Sequence, residues 1–468
     1  MYIQQLYTGC LSEAAYYIES EGEAAIIDPL RDIEEYLIMA RDRKATIKYI
    51  FETHFHADFV SGHLDLAEAS GAPIVYGPET ETQFPIYRAK DGEIFKLGKL
   101  TIEVLHTPGH TIESSCYLLR DTNGKPHAIF TGDTLFVGDV GRPDLSSGNM
   151  SSEELASMLY DSLRNKIAPL PDEVIVYPAH GAGSSCGKNL GPDTYSTLGE
   201  EKKTNYALQA TSKEDFIKSV TDGLNAPPQY FAVNARINKE GYESLSEIME
   251  EGLKALSVND FKALVKDGET ICLDTRTAAD FSEGFVPGSV NIGLDGRFAE
   301  WAGSLLPFDK PIILVTDPGK ERETVIRLAR VGFAQMRGYL DGGFPGWKSS
   351  GEPVDMVINV DADEFVMDIP FEKRLRIVDV RREAEFADGH VAGALSIPLE
   401  TLTDPGTMAD FDDKDNIYIH CASGYRSMVA ASLFKRQGIH NLHNVRGGWN
   451  EIKNLTGFNI EKEKSVLN

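Results

Sequence analysis

Short apolar runs, each closed by a polar or glycine-containing loop, set the pattern of positions 1–240. They are Ala24–Asp28, Ile47–Phe51, Ile74–Tyr76, Leu100–Leu105, His127–Phe130 and Val174–Tyr177. Runs this short, rich in Ile, Val, Tyr and Phe, predict strands rather than helices. Between them Ile33–Arg41 and Leu64–Ala69 carry helix-like spacing. Strands alternating with helices predict a layered α/β domain over 1–240. The charged stretch Asn238–Lys254 predicts a helix or a linker, and the texture changes beyond it.

After residue 255 the chain repeats itself once. Segment 273–294, LDTRTAADFSEGFVPGSVNIGL, lies over 378–399, VDVRREAEFADGHVAGALSIPL, at an offset of 105, with nine of 22 positions identical. The identities include Asp274/Asp379, Arg276/Arg381, Phe281/Phe386, Gly284/Gly389 and Gly288/Gly393. LDGGF at 340–344 meets VRGGW at 445–449 at the same offset. Two copies of one small α/β domain follow, over 256–356 and 358–468. With the first domain they make three, which is what 468 residues at about 150 per domain predict.

Composition narrows the function classes. Lys and Arg number 46 against 72 Asp and Glu, a net charge of −26. Such a chain gains nothing from a phosphate backbone or an anionic leaflet, so nucleic-acid and membrane binding are not expected. No apolar run approaches the roughly 18 residues of a membrane span. The first basic residue is Arg31, so no positive n-region of a secretory signal is seen. Five scattered cysteines, Cys10, Cys116, Cys186, Cys272 and Cys421, argue against a disulfide framework and for a reducing, cytoplasmic setting. Cys10, Cys116 and Cys272 sit beside apolar or small residues and read as packing.

Four histidine- or aspartate-bearing clusters each follow an apolar run. They are Thr53-His54-Phe55-His56-Ala57-Asp58-Phe59, His106-Thr107-Pro108-Gly109-His110, Thr131-Gly132-Asp133-Thr134 and Pro178-Ala179-His180-Gly181. Side chains at the ends of neighbouring strands converge along one sheet edge, which is how a rigid scaffold presents metal ligands. In order and spacing these motifs resemble the metallo-β-lactamase superfamily, with its His-x-His-x-Asp-His run followed by single His, Asp and His positions. The resemblance implies an αββα sandwich over 1–240. One departure matters: Phe59 stands where the family has the last histidine of the first motif. That histidine, with the positions of Asp58 and His180, holds a second ion in two-metal members. Phenylalanine offers no lone pair, so one metal is expected.

Mononuclear members acting as persulfide dioxygenases bind ferrous iron at the positions of His54, His110 and Asp133. The resemblance thus implies one Fe(II) per N-terminal domain, held by two imidazoles and a carboxylate that leave positions open for dioxygen and substrate. His56, Asp58 and His180 then orient the ligands and water around it. Arg142, in Gly138–Asp144, has two readings: an anion site for the thiol carrier, or a loop bridge to Asp144. Cys186, six residues past His180 in a Gly/Ser-rich loop, reads either as a thiol that takes up sulfur beside the metal or as an inert loop residue.

In the last repeat the apolar run Ile417–Ile419 leads into His420-Cys421-Ala422-Ser423-Gly424-Tyr425-Arg426-Ser427, followed by a helix-like stretch Met428–Arg436. A cysteine between strand and helix sits in a nest of backbone N–H groups, and Arg426 adds positive charge, a setting for a nucleophilic thiolate that accepts sulfane sulfur. The Cys-x4-Arg spacing is tighter than the Cys-x5-Arg of cysteine phosphatases. With Asp379-Val380-Arg381 and Gly389–Ala394 upstream, the unit resembles a rhodanese domain, with Cys421 and Arg426 as its catalytic pair. Aligning Leu314-Val315-Thr316 with Tyr418-Ile419-His420 puts Asp317 opposite Cys421, so 256–356 looks like a rhodanese fold without the sulfur carrier.

The order of the three domains is similar to that of the CstB-like multidomain persulfide dioxygenases. That resemblance implies oxidation of a small-molecule thiol persulfide by O2 to sulfite, then sulfur transfer through Cys421 to form thiosulfate, as sulfide and persulfide detoxification. One rival is a zinc-dependent hydrolase of glyoxalase II or thioesterase type fused to a sulfurtransferase. Another is a sulfur-carrier or sensor module. The thiol carrier is not readable from the sequence, and a homo-oligomer is left open.

Overall fold

The computed structural model describes residues 1–145, 150–188, 190–224, 226–412 and 414–463. The chain divides into two compact units, Met1–Glu247 with Leu328–Gly332, and Ile248–Arg327 with Phe333–Asn468.

The first unit is a sandwich of two six-stranded sheets. One runs in chain order through Tyr2–Thr8, Glu13–Ser20, Glu23–Ile27, Thr46–Phe51, Ile74–Tyr76 and Tyr87–Arg88. The other runs Ser196–Thr197, Ile175–Pro178, Pro126–Gly132, Ser115–Arg120, Leu100–His106 and Ile94–Leu97. Alternation along each strand divides its side chains between two cores. Phe51, Ile27, Tyr16 and Ile18 face Tyr117, Phe130 and Val104 between the sheets. Ile50, Ile26 and Tyr17 turn outward onto the helix Glu34–Arg43, with Tyr36 and Ala40, and onto Leu66 of His63–Ser70. On the opposite outer face Leu118, Ile129 and Val176 pack on Leu159, Leu163 and Phe216. Strands covered on both faces read as unbroken apolar runs, which is why Ala24–Ile27 carries no polar position. Each large side chain so buried contributes roughly 1.5–3 kcal/mol.

The second unit holds the repeat apart from Leu328–Gly332. Its two five-stranded sheets have one order, Ala255–Leu256, Met336–Leu340, Ile312–Val315, Ile271–Asp274, Val290–Asn291, and then Ile358–Val360, Leu442–Val445, Asn416–His420, Leu375–Asp379, Leu395–Ser396. All pairs within both are parallel. The identities between the copies each have a physical task. Arg276 lies on the Asp274 carboxylate and donates to the Gly284 carbonyl at 2.9 Å, and Arg381 does the same with Asp379 and the Gly389 carbonyl at 2.7 Å. Phe281 stacks on Phe285, and Phe386 on His390. Gly288 and Gly393 take φ of +82° and +78°, where a Cβ would be strained.

Several elements differ from the pattern-based reading. Strands Tyr2–Thr8, Glu13–Ser20 and Ser115–Arg120 were not anticipated, and Asn238–Lys254 holds the end of one helix, Gln229–Glu240, and a second, Leu245–Gly252. The helix after Cys421 starts at Tyr425, three residues before Met428. No helix among the described residues is long and apolar enough to cross a membrane.

Candidate metal centre and cysteine loop

The sheet edge of the first unit gathers the four histidine and aspartate clusters. Strand Thr46–Phe51 delivers His54, Leu100–His106 delivers His110, Pro126–Gly132 delivers Asp133, and Ile175–Pro178 delivers His180. Ligand atoms of His54, His110 and Asp133 lie within 4.8 Å of one another, and all three residues are buried. Asp133 Oδ2 is 3.8 Å from His54 Nε2 and 3.4 Å from His110 Nε2. A second set, His56, Asp58 and His180, and a third, Asp133, His180 and Cys186, satisfy the same spacing. The sequence therefore singled out residues that the fold does bring together.

Three of the imidazoles are held by their Nδ1 atoms. Thr53 Oγ1 donates its one proton to Asp28 Oδ2 at 2.9 Å, so it accepts from His54 Nδ1, also at 2.9 Å. His110 Nδ1 donates to the Arg142 carbonyl at 2.8 Å, and His180 Nδ1 to the Ser12 carbonyl at 3.1 Å. Each bond fixes the tautomer that leaves the Nε2 lone pair for the cluster, the arrangement a metal-binding histidine needs. His180 Nε2 and both Asp58 oxygens are buried with no hydrogen-bond partner. Polar atoms left so in a protein interior are costly unless an ion or proton engages them. The donor set therefore fits a cation.

Electrostatics sharpen this. Burial, then the neighbouring imidazoles of His56, His110 and His180, hold the His54 pKa well below its ordinary value, so the ring stays neutral. At His180 burial works downward, but Asp58 and Asp133 outweigh it and raise the pKa. Burial raises Asp58, with His180 opposing and Asp133 reinforcing the shift. Burial and then the Asp58 and Asp133 carboxylates push the Cys186 thiol well upward.

Arg142 is the loop bridge of the two readings. Its guanidinium is bidentate on Asp144 at 2.7 and 2.6 Å, while its backbone carbonyl holds His110 and its N–H donates to the Cys186 carbonyl at 3.0 Å. Phe59 is buried and packs on the His56 ring, 4.3 Å between centroids. Several supports were not anticipated. Asp28, at φ +50°, anchors Thr53 through both backbone and hydroxyl, and lies 3.1 Å from His56 Nε2. Asn238 donates to the carbonyls of His56 and Phe59 at 2.8 Å and accepts from Ser61 N–H, stapling the motif loop. An aspartate ending a strand was a readable signal for Asp28; nothing local marks Asn238.

In the second unit Cys421 follows strand Asn416–His420 and is 1% exposed. Gly424 N–H donates to its Sγ at 3.1 Å, and Gly424 opens the helix Tyr425–Arg436. Trp449 and Asn450 N–H groups hold the Cys421 and Ala422 carbonyls at 2.7 and 3.0 Å. The Arg426 guanidinium is bidentate on Glu385 at 2.7 and 2.9 Å. Tyr425 OH donates to the Gly293 carbonyl of the first repeat at 2.9 Å, so that repeat buttresses the helix behind the loop. Strand register corrects one equivalence. Asp274 pairs with Val315 and Asp379 with His420, which sets Thr316, not Asp317, in the place of Cys421. The reason is a first-repeat loop one residue longer, since its helix begins at Glu321. Neither residue can carry sulfur.

Comparison with known proteins follows the same division. A model of the metallo-β-lactamase superfamily matches residues 8–180. A relative from Schizosaccharomyces pombe, named a probable hydroxyacylglutathione hydrolase, is 31% identical over 205 residues, 39% of this chain and 75% of its own. The chain belongs to the metallo-β-lactamase superfamily. Two rhodanese-like domains, matched over 257–350 and 362–455, follow the superfamily domain. A solved metallo-β-lactamase from Staphylococcus aureus is 33% identical with a TM-score of 0.64, covering 73% of this chain and 98% of that one. A structure of ETHE1 from Myxococcus xanthus is 32% identical, covering 51% of this chain and 98% of its own, with a TM-score of 0.44.

Proposed function

We propose that this metallo-β-lactamase-fold protein is a non-haem Fe(II) persulfide dioxygenase coupled to a rhodanese sulfurtransferase, acting in sulfide and persulfide detoxification. The observation that carries the reading is a pairing on one chain: a buried face of two imidazoles and one carboxylate, and a cysteine whose sulfur receives a backbone N–H. Iron(II) held by His54, His110 and Asp133 would supply the electron that activates dioxygen, which zinc(II) cannot do.

The oxidation turns a small-molecule thiol persulfide, O2 and one water into free thiol, sulfite and two protons. Thr53 and the Arg142 carbonyl keep His54 and His110 in the ligating tautomer, and burial keeps His54 from protonating. His56, Asp58 and His180 close the polar face beside them. Arg142 enters as a positioning residue, not as the carrier's anion site, because Asp144 engages its guanidinium. In the second unit the Cys421 thiolate attacks the sulfane sulfur of another persulfide; the S–S bond breaks and the thiol leaves. Sulfite then attacks the outer sulfur, releasing thiosulfate and restoring the thiolate. Gly424 N–H stabilises both forms, and Arg426, paired with Glu385, holds the helix start. The five free cysteines fit a reducing cytoplasm, and no nucleic-acid or membrane partner enters this scheme.

The test is oxygen uptake by Fe(II)-loaded protein with a panel of small-thiol persulfides. Uptake that yields thiosulfate, and sulfite instead in Cys421→Ser, supports oxidation followed by transfer. Lack of uptake with every persulfide, iron confirmed bound, sinks it. A zinc-dependent thioester hydrolase is the second reading, favoured by the relative named a hydroxyacylglutathione hydrolase. Thioester turnover by the zinc form, without oxygen uptake by the iron form, would establish it.

A further inference from the structure

The first unit takes one turn, Leu328–Gly332, from the repeat that lacks a sulfur carrier. This turn follows the helix Glu321–Ala329, whose last carbonyls, like those of any helix, lack partners within it. Val331 and Gly332 N–H groups close back on Leu328 and Ala329, while the Arg330 carbonyl accepts from Val60 N–H at 2.7 Å. Val60 directly follows Phe59 of the His54–Phe59 motif and is 1% exposed. The Arg330 guanidinium goes elsewhere: it is bidentate on Asp32, at 2.8 Å to each oxygen, and its side chain is 16% exposed. One residue therefore grips two loops, one by its carbonyl and one by its side chain.

Those two loops present the histidine motif. The Asp28–Asp32 loop carries Asp28, which accepts from Thr53 N–H and Oγ1 at 2.8 and 2.9 Å, and Thr53 Oγ1 in turn holds His54. The same loop is zipped to the end of the motif by Pro29, whose carbonyl accepts from Gly62 N–H at 2.7 Å and from Ser61 Oγ at 2.9 Å. Charge points the same way. Glu13 is fully buried and its backbone is bridged to His180. Burial, then the Asp58 and Asp28 carboxylates, push its pKa well upward, and Arg330 opposes them. The cation of the turn thus offsets carboxylates crowded into this part of the unit.

We propose that the repeat without a sulfur carrier serves the metal centre: Arg330 is a positioning residue that braces the Asp28–Asp32 loop against the motif loop and so fixes where His54 and Asp58 stand. It acts at a distance, through Asp32 on one loop and Val60 on the other. Arginine suits the task, because a planar fork on a carboxylate fixes direction as well as distance, which the single ammonium of lysine does not. The inference rests on reading His54, His110 and Asp133 as a metal site, and not on the dioxygenase activity.

The test uses full-length protein stripped with chelator and titrated with Co(II), while hydrogen exchange over residues 52–62 follows the motif loop in the metal-free form. Arg330→Ala and Asp32→Ala should each weaken Co(II) binding about 10-fold, the scale of losing a group that orients a ligand, and should speed exchange at Val60. The charge swap, Arg330→Asp with Asp32→Arg, should recover most of the affinity, and Arg330→Lys should fall between. Near-UV circular dichroism checks the fold of each variant. If Arg330→Ala does not fold, Arg330→Lys and the swap carry the comparison. Unchanged Co(II) affinity in folded Arg330→Ala overturns the inference, and so does a loss that the swap does not recover. Wild-type protein that binds no Co(II) rejects the metal-site reading, and the brace then stands or falls on Val60 exchange alone. Oxygen uptake by the iron form is scored separately, so a failed dioxygenase with the expected Co(II) results rejects that function and leaves the brace standing.

Discussion

Gly448 shows how much of the proposed sulfur chemistry rests on one residue that carries no side chain. It has φ +53° and ψ −142°, and a Cβ there would stand 2.3 Å from the Cys421 carbonyl oxygen. That carbonyl is the acceptor for Trp449 N–H, so the loop cannot retreat without giving up a 2.7 Å bond. Gly448→Ala should therefore displace Cys421 from the Gly424 N–H and lower persulfide-to-sulfite transfer by about 100-fold, the scale of a misplacement near 1 Å. Oxygen uptake, which uses residues of the other unit, should be unchanged. A stopped-flow transfer assay beside an oxygen electrode checks it, and unaltered transfer would remove the Gly-Gly motif from the catalytic architecture. The duplicated LDGGF and VRGGW motifs were visible in sequence, but their task became clear only when the backbone brought Gly343 against Thr316 and Gly448 against Cys421.

At the scale of elements, the helix Tyr425–Arg436 is tied to the helix Glu383–Asp388 by the Arg426–Glu385 pair. Glu385 also accepts from Arg382 N–H at the start of its own helix. Burial works against its ionisation, but the hydrogen bond and charge of Arg426 outweigh it, and its pKa lies below the ordinary 4.5. A depressed carboxylate pKa gives stability that is full above the unfolded value and is lost as pH falls through the folded one. The side chain is 37% exposed, so solvent screening holds the contribution to about 1 kcal/mol. Glu385→Gln should melt lower than the wild type at pH 7, and the gap should close as pH drops below 4.5. A gap that persists at pH 3 would show that the pair is not its source.

Elements also explain what could be read from the chain. The buried strands Glu23–Ile27 and Thr46–Phe51 announce themselves as apolar runs because both faces are covered. Tyr2–Thr8 stays half-exposed along its length and carries Gln4 and Gln5, so no run marks it. The residues His54, His110, Asp133 and His180 were legible because metal chemistry restricts residue type and strand ends restrict spacing. Thr53 stood in the motif with its task unread and Asp28 was marked only as a strand-ending aspartate, while nothing local marked Asn238, since each works on partners brought together by the fold.

On the scale of the whole molecule, the two proposed chemistries draw on separate units. The groups of the candidate metal centre all belong to Met1–Glu247, and those that hold Cys421 all belong to the second unit. The first unit buries Asp58 and Asp133 beside four histidines, His54, His56, His110 and His180, a concentration of polar groups that a bound cation stabilises and its removal exposes. A cation present at about 1,000 times its dissociation constant adds about 4 kcal/mol to the unit that binds it. Stripping the protein with a strong chelator should therefore abolish oxygen uptake and lower one calorimetric transition, while a second transition stays in place. Sulfur transfer from persulfide to added sulfite should continue at its former rate, because the Gly424, Trp449 and Asn450 N–H groups that hold the Cys421 loop belong to the second unit. Re-adding iron should restore uptake and the transition together. If chelation stops sulfur transfer as well, the two sites are not energetically separate, and Cys421 depends on the metal-binding unit in a way its own contacts do not explain.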